Sequence, residues 1–323
     1  VIEEHILSWA SGKVGANFTQ IDKAFGGKNN KAFHLQCDKG QFFLKQYFSY
    51  SDSDGSRFKR ECEFYTLLNK HDIRDVATLV ASDQRYGVAL FSHISGKSIE
   101  FCSSDDILQS ADFIRRINVP AICLSAKNIE YARGGLSSPM LFLDDINGRL
   151  RILNELESDK DIYDELKVYL NEDVKPLVEV LKSRWKGFFA SDNKFEQVLS
   201  PSDFGFHNVL RGQHLYFFDF EYAGWDSAEK LVTDFFCQPR YQIDGALMPN
   251  FIEAAFPKPT RQKLLGNCRK LVDLATVKWA LIFLNEFKSN DMKRRVFSGE
   301  QDCDDYLRRQ LEKSKRKLFE VEV

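Results

Sequence analysis

The chain has 323 residues, 43% of them hydrophobic and 28% charged, with a formal net charge of −2. Such a chain can bury one large domain or two lobes, and the values exclude a disordered polymer and a basic nucleic-acid binder. Aromatic residues make up 13%, including 28 Phe, so flat side chains are predicted to fill the core.

Residues 1–12 read as a short helix, and the segment shows no charged and apolar signal pattern. Two strands are predicted over 31–38 and 41–48, turning at Asp38-Lys39-Gly40. A helix follows from Arg57 to Leu68, with Phe58, Cys62, Tyr65 and Leu68 on one face. Two more strands, about 76–82 and 87–94, complete a small mixed lobe. After Gly96 the pattern turns helical, over about 104–117, 148–171, 173–190 and 261–290, interrupted by a compact strand pair at about 208–220. A helix is also expected near 227–237, and a last one over 302–318 is acidic at its start and basic at its end. The apolar stretch Leu274–Phe287 is interrupted by Lys278, Asn285 and Glu286 and is too short to span a bilayer, so no membrane association is expected. Seven scattered cysteines without a CxxC pair indicate reduced thiols and a cytoplasmic setting, not a disulfide framework or a zinc site.

The strongest chemical signal is Ser202-Asp203-Phe204-Gly205-Phe206-His207-Asn208-Val209-Leu210, followed by Leu215-Tyr216-Phe217-Phe218-Asp219-Phe220-Glu221. Val209–Leu210 and Leu215–Phe218 are short apolar strands joined by a turn at 211–214. Folding this hairpin brings Asn208 and Asp219 together at its open end, with Asp203 on the loop upstream. Asp and Asn favour loops in any protein, so it is the convergence of two carboxylates and a carboxamide that carries the signal. Hard oxygen donors of this kind suit Mg²⁺, and Asp-x4-Asn followed by Asp-Phe is the arrangement of kinase catalytic loops. Upstream, Gly26-Gly27 before a strand offers backbone amides that could approach phosphates, although no Walker sequence follows. Lys45 lies inside the apolar strand Phe42–Tyr47 and needs water or a charge partner. Glu61 shares a helix face with Phe58, Phe64, Tyr65 and Leu68, whereas Glu63 sits beside Lys59 and Arg60 in a solvated pattern, so Glu61 is the predicted partner.

In this order, Gly26-Gly27-x-x-Asn30, Lys45, Glu61, Asp203-x4-Asn208 and Asp219-Phe220-Glu221-Tyr222-Ala223-Gly224-Trp225 make nearly the whole chain resemble the aminoglycoside phosphotransferase and choline kinase superfamily. The resemblance implies an α+β, protein-kinase-like two-lobed fold. A small N-lobe with an antiparallel sheet and one helix (1–95) would bind nucleotide, and a larger, mainly helical C-lobe (96–323) would carry catalysis and the acceptor. It implies that Gly26, Gly27 and Asn30 cover the ATP phosphates and that Lys45, held by Glu61, contacts the α- and β-phosphates. Ser92 and Ile94 would offer backbone groups to adenine, with Phe91 flanking the pocket. Asn208 and Asp219 would hold Mg²⁺, and Asp203 would orient the acceptor hydroxyl and receive its proton. One departure stands out: family loops usually begin His-Gly-Asp, and here the run is Pro201-Ser202-Asp203.

The implied activity is ATP- and Mg²⁺-dependent O-phosphorylation of a small hydroxylated molecule. Trp225 and Asp226 are candidate acceptor residues, because an aromatic and an acid together suit a cationic amine such as an amino sugar, an aminoglycoside or a choline-like amine. Other sugars and polyols remain open. The competing readings are an inactive nucleotide-binding regulator and a protein kinase. The four intact polar positions argue against the first, and the absence of an Ala-Pro-Glu segment after Asp219 argues against the second.

Overall fold

The computed structural model describes residues 2–24, 29–48 and 55–321. Helix α1 (Glu4–Val14) ends at Gly15, whose φ of 69° closes it with a left-handed cap. Strands β1 (Gln20–Lys23), β2 (Lys31–Cys37) and β3 (Gly40–Gln46) precede helix α2 (Gly55–Lys70), and β4 (Leu79–Asp83) and β5 (Val88–Ser92) follow it. The five strands form one antiparallel sheet in the order β1-β2-β3-β5-β4. Strand β1 was not expected from the sequence. All four of its residues are exposed, so it lacks the apolar alternation that marks a half-buried strand. Below the sheet, Phe64, Tyr65 and Leu68 of α2 are buried, as the helical phase predicts.

The larger part of the chain is mainly helical. It opens with β6 (Lys97–Ser98), then α3 (Ser104–Ile117), α4 (Pro120–Ser125), α5 (Pro139–Asn154) and α6 (Asp161–Tyr169). Helix α3 begins with a capping box in which Ser103 and Asp106 satisfy each other's backbone N–H. Helices α7 (Lys175–Arg184) and α8 (Lys186–Phe189) lead to β7 (Gln197–Ser200), β8 (Val209–Arg211), β9 (Leu215–Phe217) and β10 (Gly224–Ser227). Then come α9 (Ala228–Phe236), α10 (Met248–Ala255), α11 (Lys258–Phe283), α12 (Ser289–Ser298) and α13 (Asp304–Leu318).

Two expected helix boundaries move. The predicted helix over 148–171 starts earlier, at Ser138 and Pro139, and breaks at 155–160. By contrast α6 runs on into α7 through a π turn at Leu170–Val174, where the Lys175 N–H reaches the Leu170 carbonyl. Pro176 explains that turn: its nitrogen cannot donate and its ring crowds the preceding carbonyls, so the helix widens instead of ending. The long helix near 261–290 ends at Phe283, and a 3₁₀ turn at Leu284–Phe287 leads into α12, which sequence periodicity did not show.

Phenylalanines join the two halves. Phe91 of β5 lies 4.7 Å from Tyr65, ring centre to ring centre, and Tyr65 and Phe64 lie 4.9 and 5.1 Å from Phe220. On the other side Phe113 stacks on Phe217 at 4.2 Å, Phe204 lies 5.2 Å from Phe235, and Phe235 lies 4.8 Å from Phe251. One core therefore runs from the sheet to α10. Among the described residues no helix is long and apolar enough to cross a membrane.

A buried ion chain ties β10 and α9 to α11. Lys230 bonds Asp226 at 2.7 Å and Asp234 at 3.3 Å, and Lys278 bonds the other oxygen of Asp234. All four residues are buried. The charges alternate and cancel, which is what makes their desolvation tolerable. Replacing Lys230 by Met removes the cation from Asp226 and is expected to cost about 3–5 kcal/mol in urea unfolding. A change below about 1 kcal/mol would show that water, not Lys230, compensates these carboxylates.

Candidate active site

Strand β3 places Lys45 opposite Ala89 of β5, facing α2. Its Nζ lies 2.6 Å from Glu61 Oε2 and 2.5 Å from Asp219 Oδ1. The Tyr47 hydroxyl donates to the same Glu61 oxygen at 2.7 Å. Lys45 and Glu61 are buried, while Glu63 points to solvent near Lys59. Burial opposes the charge on Lys45, but Asp219, Glu61 and Glu221 outweigh it and hold the ammonium well above its ordinary range. Burial lifts the Glu61 carboxyl to about 7 against the pull of Lys45, and the negative charges of Asp219 and Glu221 add to the lift.

The predicted hairpin forms as β8 and β9, with Val209 opposite Phe217. The Phe218 N–H donates to the Asn208 carbonyl at 3.1 Å, so Asn208 sits one residue from Asp219 across the ladder. Asp219 adopts φ 66°, in the left-handed region that costs a non-glycine residue about 1–3 kcal/mol. The buried Phe220 ring holds the segment in that conformation.

Upstream, Ser202 is also left-handed, at φ 67°. Its N–H donates to Ser200 Oγ at 2.9 Å, and its own Oγ accepts from Lys230 Nζ at 3.2 Å. Asp203 bonds His207 Nε2 at 2.9 Å, its carbonyl accepts from Asn208 Nδ2 at 3.0 Å, and the Phe206 N–H donates to Gln238 Oε1 at 2.7 Å. The loop that lacks a histidine before its aspartate is thus braced by His207 after it and by Lys230 and Gln238 from α9 and its end. Burial alone would raise the Asp203 carboxyl; the charge and hydrogen bond of His207, with Lys230 and Asn208, bring it below the usual range. Burial would lower His207, and Asp203 raises it above the ordinary imidazole value.

A third carboxylate, Glu221, completes the group. Glu61, Asp219 and Glu221 each offer an oxygen within 4.8 Å of the others. Glu221 accepts from Asn30 Nδ2 at 2.7 Å and from Asn29 Nδ2, whose Oδ1 in turn accepts from Arg295 of α12 at 2.7 Å. The donor set is all oxygen. With Nδ2 engaged on Asp203, the amide oxygen is the atom that Asn208 offers a cation. These residues fit a hard divalent ion such as Mg²⁺.

The structure brings Asn30, Lys45, Glu61, Asn208 and Asp219 into one neighbourhood with Asp203; Gly26 and Gly27 lie outside the described residues. In the expected hinge, Phe91 is buried against Tyr65, Ile94 is half-buried, and the Ser92 N–H is committed to the Thr78 carbonyl at 2.8 Å. That leaves Ser92 only its carbonyl side for a base. The expected acceptor residues Trp225 and Asp226 make contacts within the protein. The Trp225 indole donates to the Ala126 carbonyl at 3.0 Å. Asp226 is 1% exposed, accepts from the Leu136 and Ser227 N–H groups and pairs with Lys230. Both residues build the scaffold beneath the loop. Sequence reasoning missed Glu221, Asn29, His207 and Lys230. The signal available for the first was its place beside the apolar Phe220, two residues after Asp219.

No protein-family model matches the chain, and no curated protein does. Solved structures do. A spectinomycin phosphotransferase bound to ADP and spectinomycin is 15% identical and superposes with a TM-score of 0.59 over 98% of both chains. The choline kinase of Streptococcus pneumoniae is 13% identical, with a TM-score of 0.59 over 98% of this chain and 100% of that one. An ethanolamine kinase of Plasmodium vivax is 13% identical, with a TM-score of 0.60 over 93% and 81%. The chain has the two-lobed, protein-kinase-like fold shared by the aminoglycoside phosphotransferases and the choline and ethanolamine kinases.

Proposed function

We propose that this protein is an ATP- and Mg²⁺-dependent kinase that phosphorylates the hydroxyl of a small molecule. The observation that carries the reading is Lys45, which bridges Glu61 of α2 and Asp219 at the mouth of the hairpin, beside an ionised Asp203. Residues 1–95 would form the nucleotide lobe and 96–323 the acceptor lobe. The similar structures support a small-molecule acceptor, as does the short run from Asp219 to β10 at Gly224, which has no room for the long activation loop of a protein kinase. Seven free cysteines suit the reducing cytoplasm.

Asp219 and Asn208 would hold Mg²⁺, which would supply positive charge at the phosphate oxygens. Lys45 stays with Glu61 and exchanges Asp219 for the nucleotide's phosphates. Asn30, with the segment at Gly26 and Gly27, covers those phosphates, and Phe91, Ser92 and Ile94 border the base. Asp203 orients the acceptor hydroxyl and takes its proton as the bond to phosphorus forms. Phosphoryl transfer has a loose transition state in most analyses, so alignment matters more than base strength. That accommodates a carboxylate whose basicity His207 has lowered.

In a thermal-shift assay, ATP should stabilise the wild type more with Mg²⁺ than without, and Asp219→Ala should lose the magnesium-dependent part. No nucleotide-dependent shift in a folded sample would overturn the reading and favour a scaffold without catalysis. With a working acceptor, Asp203→Ala should lower kcat by about 10²–10⁴-fold while Mg·ATP still binds; a wild-type rate would remove Asp203 from the chemistry. The His207 imidazole, followed by NMR, should titrate above 6.5 in the wild type. In Asp203→Asn the main influence opposing burial is gone, so it should titrate lower than in the wild type. The raised value also gives a sign for stability. The His207–Asp203 bond contributes fully below about pH 6.5 and is lost as pH rises through the folded-state pKa of His207.

A further inference from the structure

Next to the proposed catalytic aspartate stands a group of cations that the reaction as described does not use. Arg57 lies one helical turn before Glu61 on α2, and its guanidinium carbon lies 5.1 Å from the centre of the Tyr222 ring. Arg133, from the loop before α5, reaches the same ring at 6.0 Å. Arg57 is 4% exposed. Among the described residues no carboxylate pairs with it, and its buried Nε has no hydrogen-bond partner. Arg60, on the next stretch of the same helix, shows the usual solution: its guanidinium bonds Glu130 at 2.8 Å and also the Tyr131 carbonyl. An aromatic face offsets only part of the cost of burying a guanidinium. Among the described residues Arg57 therefore has no anion.

The described surroundings offer it none. The two oxygens of the nearby Glu221 are taken by Asn29 and Asn30. Deeper along the same wall, Lys288 is paired with Asp291 at 2.8 Å, but Asp291 is shared with Arg294. Burial and the charges of Arg149 and Arg133 push the Lys288 ammonium down to about 8. Asp203 belongs to this neighbourhood. Burial raises the Tyr222 hydroxyl above its ordinary range, and after Glu221 the charges of Arg57, Asp203 and Arg133 all act on it. Asp203 and both arginines thus lie about one ring, so a molecule whose hydroxyl meets Asp203 can reach Arg57 and Arg133 with its remainder.

We propose that Arg57 and Arg133, gathered on Tyr222 beside Asp203, form a subsite for an anionic group of the acceptor, a phosphate or a carboxylate. The acceptor is then an acid-bearing sugar or polyol and not a cationic amine. This rests on the phosphotransferase reading, and it replaces the amine expectation that Trp225 and Asp226 had supported. The planar, forked guanidinium of Arg57 suits either oxyanion.

The test uses the full chain and a matched set: glucose, glucosamine, glucose 6-phosphate and glucuronate, with inorganic phosphate as a bare anion. Binding without nucleotide is read by calorimetry, and transfer by ADP release. We expect glucose 6-phosphate or glucuronate to bind and react better than glucose and glucosamine, the better of the two naming the group. Arg57→Gln should weaken the anionic ligand about 10- to 100-fold. Should Arg57→Gln not fold, Arg133→Gln, at an exposed position, should weaken it in the same direction. Preference for glucosamine overturns the proposal, as does the absence of Arg57-dependent binding of either anionic hexose or inorganic phosphate. An equal loss of Mg·ATP affinity in Arg57→Gln also overturns it, because the anion would then be the nucleotide's own phosphate. Arg57-dependent anion binding without ATP binding or turnover would keep the subsite and defeat the kinase reading. Turnover of amines without anion binding would do the reverse.

Discussion

The site depends on one buried ring. Phe220 is enclosed by Phe64 and Tyr65 of α2 on one side and faces Phe113 of α3 across the core on the other, 6.5 Å away. Each such aromatic pair adds about 0.5–1.5 kcal/mol beyond the area it buries. Fixing Phe220 in the core fixes the backbone on either side of it, and with it the positions of Asp219 and Glu221. The left-handed backbone at Asp219 is held by the same packing. The carboxylates therefore owe their positions to the hydrophobic core, and the core spans both halves of the molecule.

Around that ring the polar groups satisfy one another. Lys45 takes Glu61 and Asp219, and Asn29 and Asn30 take Glu221. Lone carboxylates at this burial would cost several kcal/mol each, and these ammonium and carboxamide partners offset that cost. Ammonium and carboxamide groups pair here with carboxylates that could otherwise receive a metal, and the pairing is exchangeable because it is ionic and short-ranged. Beneath, the chain Asp226–Lys230–Asp234–Lys278 is a different kind of electrostatics, fully buried and built for rigidity.

Much of this was legible in the sequence, for reasons that differ by residue. Lys45 interrupts an apolar strand and Glu61 falls on an apolar helix face, so the cost of burying either charge alone already calls for the other. The hairpin placed Asn208 beside Asp219 because two short apolar runs and a polar turn admit little else. What periodicity could not show were elements with no apolar stripe, such as β1, and connections between distant parts. Trp225 and Asp226 looked like recognition residues because an aromatic and an acid are ambiguous until burial is known. Lys230 belongs to α9 and reaches Ser202, beside Asp203, only through the fold. The replacement of the expected loop histidine was visible, but not that His207 would brace Asp203 from the other side.

Helix α12 has a bearing on timing. Although it belongs to the C-terminal third, it touches the nucleotide-side strands: Arg295 holds Asn29, the Phe297 ring lies 5.2 Å from that of Phe48, and Lys31 sits 4.2 Å over Phe297. Glu286, at the turn before α12, holds Arg295 from behind at 2.7 Å. Asn29, Lys31 and Phe48 are therefore tied to a helix of the C-terminal half. In the proposed kinase, a cleft that opens for a nucleotide would have to part these contacts together. A helix near the end of the chain would then bear on the pace of the proposed reaction, alongside the carboxylates at its centre.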